Sequence, residues 1–406
     1  MKGIVNQPKI MILDDDHTIL KLLKQQLLVN GLLDIISCDN ANMALTVIAT
    51  EKKPIDLIFS DLNMPEMDGV EFLRNLSAQN YAGAIVLFSG EDERILSTVI
   101  SLAKAQKLRM LGALRKPISN IALTSMLENY LASPDFDSLG SQRKTVKIYD
   151  AIELEYGIVD NEFVNYYQPK VDINSGALVG VESLVRWQHR YDGMVFPDQF
   201  IHLAEQSNLI DKLTDAVLDN ALLDAVKWRR NKLDICISVN ISMDNLTALD
   251  FPERVANKIN HYDIPVSNLI LEITESKLMK NLVATLDILS RLRLKRVRLS
   301  IDDFGTGHSS LVQLRDIPFD ELKIDRSFVH RAYENKSIKA IFASSLRMAK
   351  ELNMIVVAEG VEDRADWDFL SETGCDIAQG YYIASPMPAD DILEWARNWQ
   401  RKFHTS

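Results

Sequence analysis

Short apolar runs punctuate this chain, and almost every one stops at a polar or charged residue. Lys9-Ile-Met-Ile-Leu13 runs into Asp14-Asp15-Asp16, Ile55-Asp-Leu-Ile-Phe59 into Ser60-Asp61, and Ala84-Ile-Val-Leu-Phe88 into Ser89-Gly90. Runs of this length read as strands buried on both faces. Helix-period patterns lie between them. Ile19, Leu20, Leu23, Leu27 and Leu28 share one face, and Gly31 stands past the end. Ala113-Leu-Arg-Lys116-Pro117 closes a fourth strand unit, and a last helix is expected from about Asn120 to Tyr130. Strands alternating with helices over residues 8–132 predict a doubly wound, parallel α/β sheet, whose ligands sit beyond the carboxyl ends of the strands.

Residues 133–149, beginning Ser133-Pro-Asp-Phe-Asp-Ser-Leu-Gly140, have the composition of a linker. A helix is expected over Tyr149 to Val159, leading a second domain over 150–400. That length suits a (β/α)₈ barrel. Its strand candidates are Val164 to Gln168, Leu178 to Glu182, Cys236 to Asn240, Leu269 to Glu272, Arg298 to Asp302, Glu321 to Lys323, Ile355 to Glu359 and Ile377 to Gln379. Only 14 residues separate Gln168 from Glu182, too few for a parallel crossover. The turn-rich Asp172-Ile-Asn-Ser-Gly176 between them predicts a hairpin instead. Folding about Ser175 sets Gln168 opposite Glu182, which gives the barrel one antiparallel strand.

Bulk properties narrow the classes. With 406 residues, 47% of them hydrophobic, the chain can fill two or three cores. No run of about 18 apolar residues exists, so no membrane span is expected. The segment from Met1 to Lys9 lacks a signal-peptide core, and a cytoplasmic location is expected. Cys38, Cys236 and Cys375 are few and scattered, as reduced core residues are. A net charge of −12 argues against DNA as a partner, and no basic recognition helix follows the first domain.

In the first domain, acids at two strand ends, a hydroxyl at a third and Lys-Pro at a fourth would form a small Mg²⁺ and phosphoryl site. Each residue alone reads as a helix cap; the four together in this order do not. The set resembles the response-regulator receiver domain, a flavodoxin-like fold, over the whole of residues 8–132. The resemblance implies that Asp61 is the phosphoacceptor. It implies that Asp15, Asp61 and the carbonyl of Asn63 bind one Mg²⁺, with Asp14 assisting through water. Ser89 and Lys116 would grip the phosphoryl group, supplied by a sensor histidine kinase. Family members often carry Tyr or Phe three residues before the lysine; here that position is Ala113.

In the second domain the strand ends supply Gln168, Glu182, Asn240, Glu272, Asp302, Asp303, Lys323, Glu359 and Gln379. Active sites of such barrels lie at the carboxyl mouth. Carboxylates crowded there repel one another unless cations sit among them. The motifs resemble EAL-type cyclic-di-GMP phosphodiesterases. Glu182-Ser-Leu-Val-Arg186 matches the signature, with Ser183 for its alanine. Asp302-Asp303-Phe-Gly305-Thr-Gly307, Lys323-Ile-Asp325, Ala358-Glu359-Gly and Gln379-Gly-Tyr extend the match across the domain.

The resemblance implies hydrolysis of one phosphodiester of cyclic di-GMP to linear pGpG with Mg²⁺ or Mn²⁺, one or two ions in the barrel. Glu182, Asn240, Glu272 and Asp302 would bind the first ion, and Asp303 a second, with Gln379 supporting it. Glu359 would act as general base or orient the water, and Lys323 would balance charge. Arg186 would contact the substrate phosphate, with Gln168 and Leu184 as further substrate contacts. Glu275 matches the residue that anchors the loop after Asp303, in which His308 replaces the usual tyrosine. EAL domains commonly pair near this loop, so self-association as a dimer or larger assembly is implied. The alternatives are a non-catalytic cyclic-di-GMP receptor that signals through a partner, a barrel hydrolase of another phosphate ester, and a transcription regulator.

Overall fold

The computed structural model describes residues 8–91, 93–132, 149–274, 282–306 and 317–403. Glu275, Gly307, His308 and nearly all of the expected linker lie outside them. The chain divides into two units, Met1–Lys147 and Ile148–Ser406.

The first unit is a parallel sheet of β1 (Ile10–Leu13), β2 (Ile35–Cys38), β3 (Leu57–Asp61), β4 (Ala84–Ser89) and β5 (Arg109–Arg115), in the order β2-β1-β3-β4-β5. Helices α1 (His17–Val29), α2 (Ala41–Thr50), α3 (Gly69–Ala78), α4 (Glu93–Ala105) and α5 (Asn120–Ala132) alternate with the strands. Alternation along β1, β3 and β4 sends Met11, Ile58 and Ile85 into one apolar core and Ile12, Phe59 and Val86 into another, one on each face. The central strands are wholly buried, which is why they read as unbroken apolar runs. The pattern of runs gives four strand units. The fifth, β2, has a single neighbour and is only partly buried, so its Ile-Ile-Ser-Cys carries a weaker signal. The strand before Lys116 also starts earlier than its apolar residues suggest, because Gly112, at φ 142°, interrupts it where the pairing with β4 slips.

The second unit is a closed barrel. Its strands are β6 (Phe163–Asp172), β7 (Leu178–His189), β9 (Cys236–Ile241), β10 (Leu269–Thr274), β11 (Arg298–Phe304), β12 (Glu321–Ile324), β13 (Ile355–Ala358) and β14 (Ile377–Ala378); short strands β8 (Gly193–Val195) and β15 (Met387–Pro388) pair outside the ring. β6 is antiparallel to both neighbours, β7 and β14, and the remaining ring pairings are parallel. The predicted hairpin is present with Gln168 opposite Glu182. Helices fill the crossovers, among them Ile210–Arg230, Phe251–Tyr262, Lys336–Glu351 and Arg364–Thr373. The long step between Glu182 and Asn240 holds an additional short helix, Ile201–Gln206. The helix Ala151–Val159 starts at Asp150, whose side chain caps Ile152 and Glu153 while Glu153 returns a bond to the Asp150 amide.

Register explains how the mouth is built. Strand side chains alternate between faces. The pairings Gln168–Glu182, Asn240–Glu272, Glu272–Ser300 and Ser300–Glu321 therefore put these residues on one face, the barrel interior. Leu271, Leu299 and Leu322 have the opposite parity and are buried with the main core.

Candidate active site

Lys323 is the hub of the barrel mouth. Its side chain is 1% exposed, and Nζ lies 2.7 Å from Glu272 Oε2, 2.7 Å from Glu359 Oε1, 3.0 Å from Asp302 Oδ1 and 3.4 Å from Glu182 Oε2. A buried ammonium costs several kcal/mol unless paired, so a ring of carboxylates is its condition for being there. Asn240 donates to Glu182 Oε1 at 2.7 Å, and Gln379 Nε2 donates to Glu182 Oε2 at 2.6 Å and to Gln168 Oε1 at 3.0 Å. Gln379 reaches this position because its chain presses against residue 361. A Cβ on Gly380 would stand 2.2 Å from the Val361 carbonyl oxygen, and only glycine fits.

Asp302 and Asp303 are adjacent, and on a regular strand they would face opposite ways. The β11–β12 register shifts between Ile301 and Phe304, and Asp303 adopts φ 56°. Aspartate tolerates this left-handed conformation better than most residues. The irregularity turns both acids toward one place, as bulges beside active sites do. Ligand oxygens of Asp302, Asp303 and Glu359 lie within 4.8 Å of one another, as do those of Glu182, Glu272 and Asp302.

The electrostatics diverge within this small volume. Burial drives the Glu359 carboxyl up to about 8, with Lys323 opposing and Asp302 and Glu182 reinforcing the rise. Burial likewise raises Glu182, against the pull of Lys323. Burial also works on Glu272, but the ammoniums of Lys170 and Lys323 hold it down at about 2. Lys323 is desolvated yet stays well above the ordinary lysine range because Asp302, Glu182, Glu272 and Glu359 surround it. The residues fit hard divalent cations: the donors are all oxygens, they form two triads sharing Asp302, and the buried Gln379 Oε1 has no hydrogen-bond partner.

Above this floor, Gln168, Glu182, Leu184, Glu359, Gln379 and Tyr381 help to line a cavity of about 210 Å³. Leu184 also borders a more apolar cavity of about 240 Å³ beside Asn240 and the helix Ile210–Arg230. Arg186, two positions beyond Leu184 on the same face of β7, packs its guanidinium over Tyr166 and Phe196 at 5.8 and 5.2 Å from the ring centroids. Among the described residues it forms no ion pair with a carboxylate.

In the first unit, Asp14, Asp15 and Asp61 bring carboxylate oxygens within 4.8 Å of one another beyond the carboxyl ends of β1 and β3. Lys116 Nζ contacts Asp14 at 2.7 Å and Asp61 at 2.9 Å. Burial raises the Asp61 carboxyl, partly offset by Lys116. Its Oδ1 is buried without a hydrogen-bond partner, which fits an oxygen reserved for an ion. Ser89 is buried at the end of β4, and its Oγ accepts from the Glu91 amide. The Asn63 side chain turns away to donate to Glu91, leaving only its backbone as a candidate ligand.

The pattern of strand ends misses Lys170 and Glu321. Lys170 is fully buried below Glu272 and bonds to Ser238, Glu272 and Glu321. Lys170 stands two residues beyond Gln168, and Glu321 two before Lys323, so strand parity alone points both inward.

A doubly wound unit with three acids and a lysine at its strand ends, followed by a barrel whose mouth gathers carboxylates around a lysine, is the class that fold and geometry define. Residues 10–128 match the response regulator receiver domain, and residues 151–386 match the EAL domain. This chain belongs to the EAL family, in its receiver–EAL arrangement. It is 33% identical over 341 residues to the cyclic di-GMP phosphodiesterase RocR of Pseudomonas aeruginosa, covering 84% of this chain and 86% of RocR. It is 38% identical over 242 residues to the bifunctional diguanylate cyclase/cyclic di-GMP phosphodiesterase MucR of the same organism, covering 59% of this chain and 35% of MucR. The solved PaMucR phosphodiesterase in complex with c-di-GMP superposes with a TM-score of 0.56 at 38% identity, over 59% of this chain and 98% of that one. An EAL domain protein from Listeria monocytogenes gives 0.54 at 27% identity, over 61% and 98%. No described helix is long and apolar enough to cross a membrane.

Proposed function

We propose that this protein is a response regulator whose barrel hydrolyses cyclic di-GMP to linear pGpG with Mg²⁺ or Mn²⁺. The observation that carries the reading is the meeting of Glu182, Glu272, Asp302 and Glu359, from separate strands, around Lys323. Similarity to RocR over most of both chains supports the substrate.

Glu182, Asn240, Glu272 and Asp302 hold a first ion and Asp303 a second, with Gln379 in support. Bound there, the ions supply water activation and charge neutralisation at the phosphate. Arg186, free of carboxylate partners among the described residues, binds a phosphate oxygen through charge-assisted bonds. Leu184 and Gln168 contact the remainder of the dinucleotide from the cavity wall. Glu359 takes the proton of the attacking water or orients it; burial gives this carboxyl the affinity for a proton that a base near neutral pH needs. The water oxygen bonds to phosphorus, the P–O3′ bond breaks, the departing O3′ takes up a proton from solvent, and Lys323 balances the developing negative charge.

In the first unit, Asp61 accepts the phosphoryl group from a sensor histidine kinase. Asp15, Asp61 and the Asn63 carbonyl would hold one Mg²⁺, with Asp14 assisting through water, while Ser89 and Lys116 grip the phosphoryl oxygens. Phosphorylation modulates turnover or assembly of a cytoplasmic, self-associating protein that does not bind DNA.

Incubating the purified chain with Mg²⁺ and cyclic di-GMP, then chromatographing the mixture, tests the activity. Conversion to pGpG is expected. Binding of cyclic di-GMP without conversion would make the chain a receptor, and neither binding nor conversion would remove the substrate altogether.

A further inference from the structure

One layer below the mouth, the barrel interior is polar. Lys170, Ser238, Ser300 and Glu321 each lie two residues from a mouth residue on the same strand, and all are at most 2% exposed. A barrel packed only for stability fills such layers with branched apolar side chains. Here Lys170 Nζ reaches Glu272 Oε1 at 2.5 Å, Ser238 Oγ at 2.8 Å and Glu321 Oε1 at 3.2 Å, and Ser300 Oγ braces Glu321 at 3.1 Å. A charge pair of Lys170 with Glu321 would satisfy both residues. The closest contact is instead upward, to Glu272. The two oxygens of Glu272 are thereby divided, with Oε1 tied down to Lys170 and Oε2 facing the mouth beside Lys323.

This division bears on which cation the mouth accepts. Large dications take six to eight oxygens and use carboxylates through both atoms; small ones keep near-octahedral geometry and take one oxygen from each. We propose that Lys170 is a positioning residue which, by holding Glu272 Oε1, limits Glu272 to one ligand oxygen and sets the site's preference for a small dication over a large one. The inference rests on the metal-binding reading above, but not on the identity of the substrate.

The test is cation competition, read without turnover. In the full-length chain carrying Asp15→Asn to silence the first unit's site, Mn²⁺ binding is followed by loss of the free-ion electron paramagnetic resonance signal. Mg²⁺ and Ca²⁺ are then titrated as competitors. Lys170→Met should shift the Mg²⁺-to-Ca²⁺ affinity ratio toward Ca²⁺ by roughly tenfold, the scale on which residues behind a ligand act. Glu321→Gln, which leaves the Lys170–Glu272 bond in place, should keep the parent ratio. Should Lys170→Met fail to fold, Lys170→Met with Glu321→Leu removes the buried pair together and should show the same shift. A ratio within about twofold of the parent in the Lys170 variants overturns the proposal alone. Failure of the parent to bind Mn²⁺ overturns it together with the metal-dependent reading of the barrel.

Discussion

The two acidic centres use the same parts and differ in depth. In each, a lysine sits among carboxylates that end parallel strands. Lys116 in the first unit has a side chain 21% exposed and touches two acids. Lys323 in the barrel is 1% exposed and touches four. The shallow centre leaves Asp15 open to solvent, which suits the phosphoryl exchange proposed for it. The deep centre is supported from beneath by further buried charge and suits a resident cation. Burial thus separates a site built for exchange from one built to keep its geometry.

Removing the hub lysines should break this comparison most visibly. Lys323→Ala leaves buried carboxylates facing one another, and a loss of about 3–5 kcal/mol is expected in chemical denaturation without added metal. Mg²⁺ should recover part of it. Lys116→Ala, which removes a partly exposed lysine from two buried acids, should cost less, about 1–3 kcal/mol, while abolishing phosphoryl retention. Equal costs would erase the distinction. Next in size, Glu359→Gln should lower kcat by about 100-fold or more with substrate binding retained, read by steady-state kinetics and calorimetry. Near-normal turnover would refute its role.

Arg186→Lys keeps the charge but loses the planar fork stacked on Tyr166 and Phe196. KM should rise about tenfold with kcat little changed. The smallest effect should come from the shallow centre. A small-molecule phosphodonor is expected to change turnover of the parent by a few-fold, on the scale of a coupling of about 1 kcal/mol. The Asp61→Asn chain should not respond, and equal parent rates with and without phosphodonor would deny the first unit that role.

Much of this is legible in the sequence. An apolar run stops where the interior opens to polar chemistry, as at Asp61, Glu182 and Asp302, although β7 itself continues to His189 and β11 to Phe304. The hairpin register followed from symmetry about Ser175. Other features depend on partners distant in sequence. Lys170 shares the inward parity of Gln168, but nothing local to it names Glu272 and Glu321 as its partners until the ring closes around it. The turn of Asp303 comes from a slip against β12, which no local pattern encodes. Phe196 meets Arg186 only because β8 folds back on β7. The edge strand β2 gave little signal because one side of it has no neighbour.

The reversed first strand of the barrel has a consequence for how the ring is closed. Gln379 donates to Glu182, 197 residues earlier, and to Gln168, both on the hairpin that opens the barrel. The mouth is therefore clasped between the two ends of the ring, the hairpin that opens it and the strand that closes it. A chain cut between β13 and β14 would leave that clasp unmade and Glu182 without this amide partner.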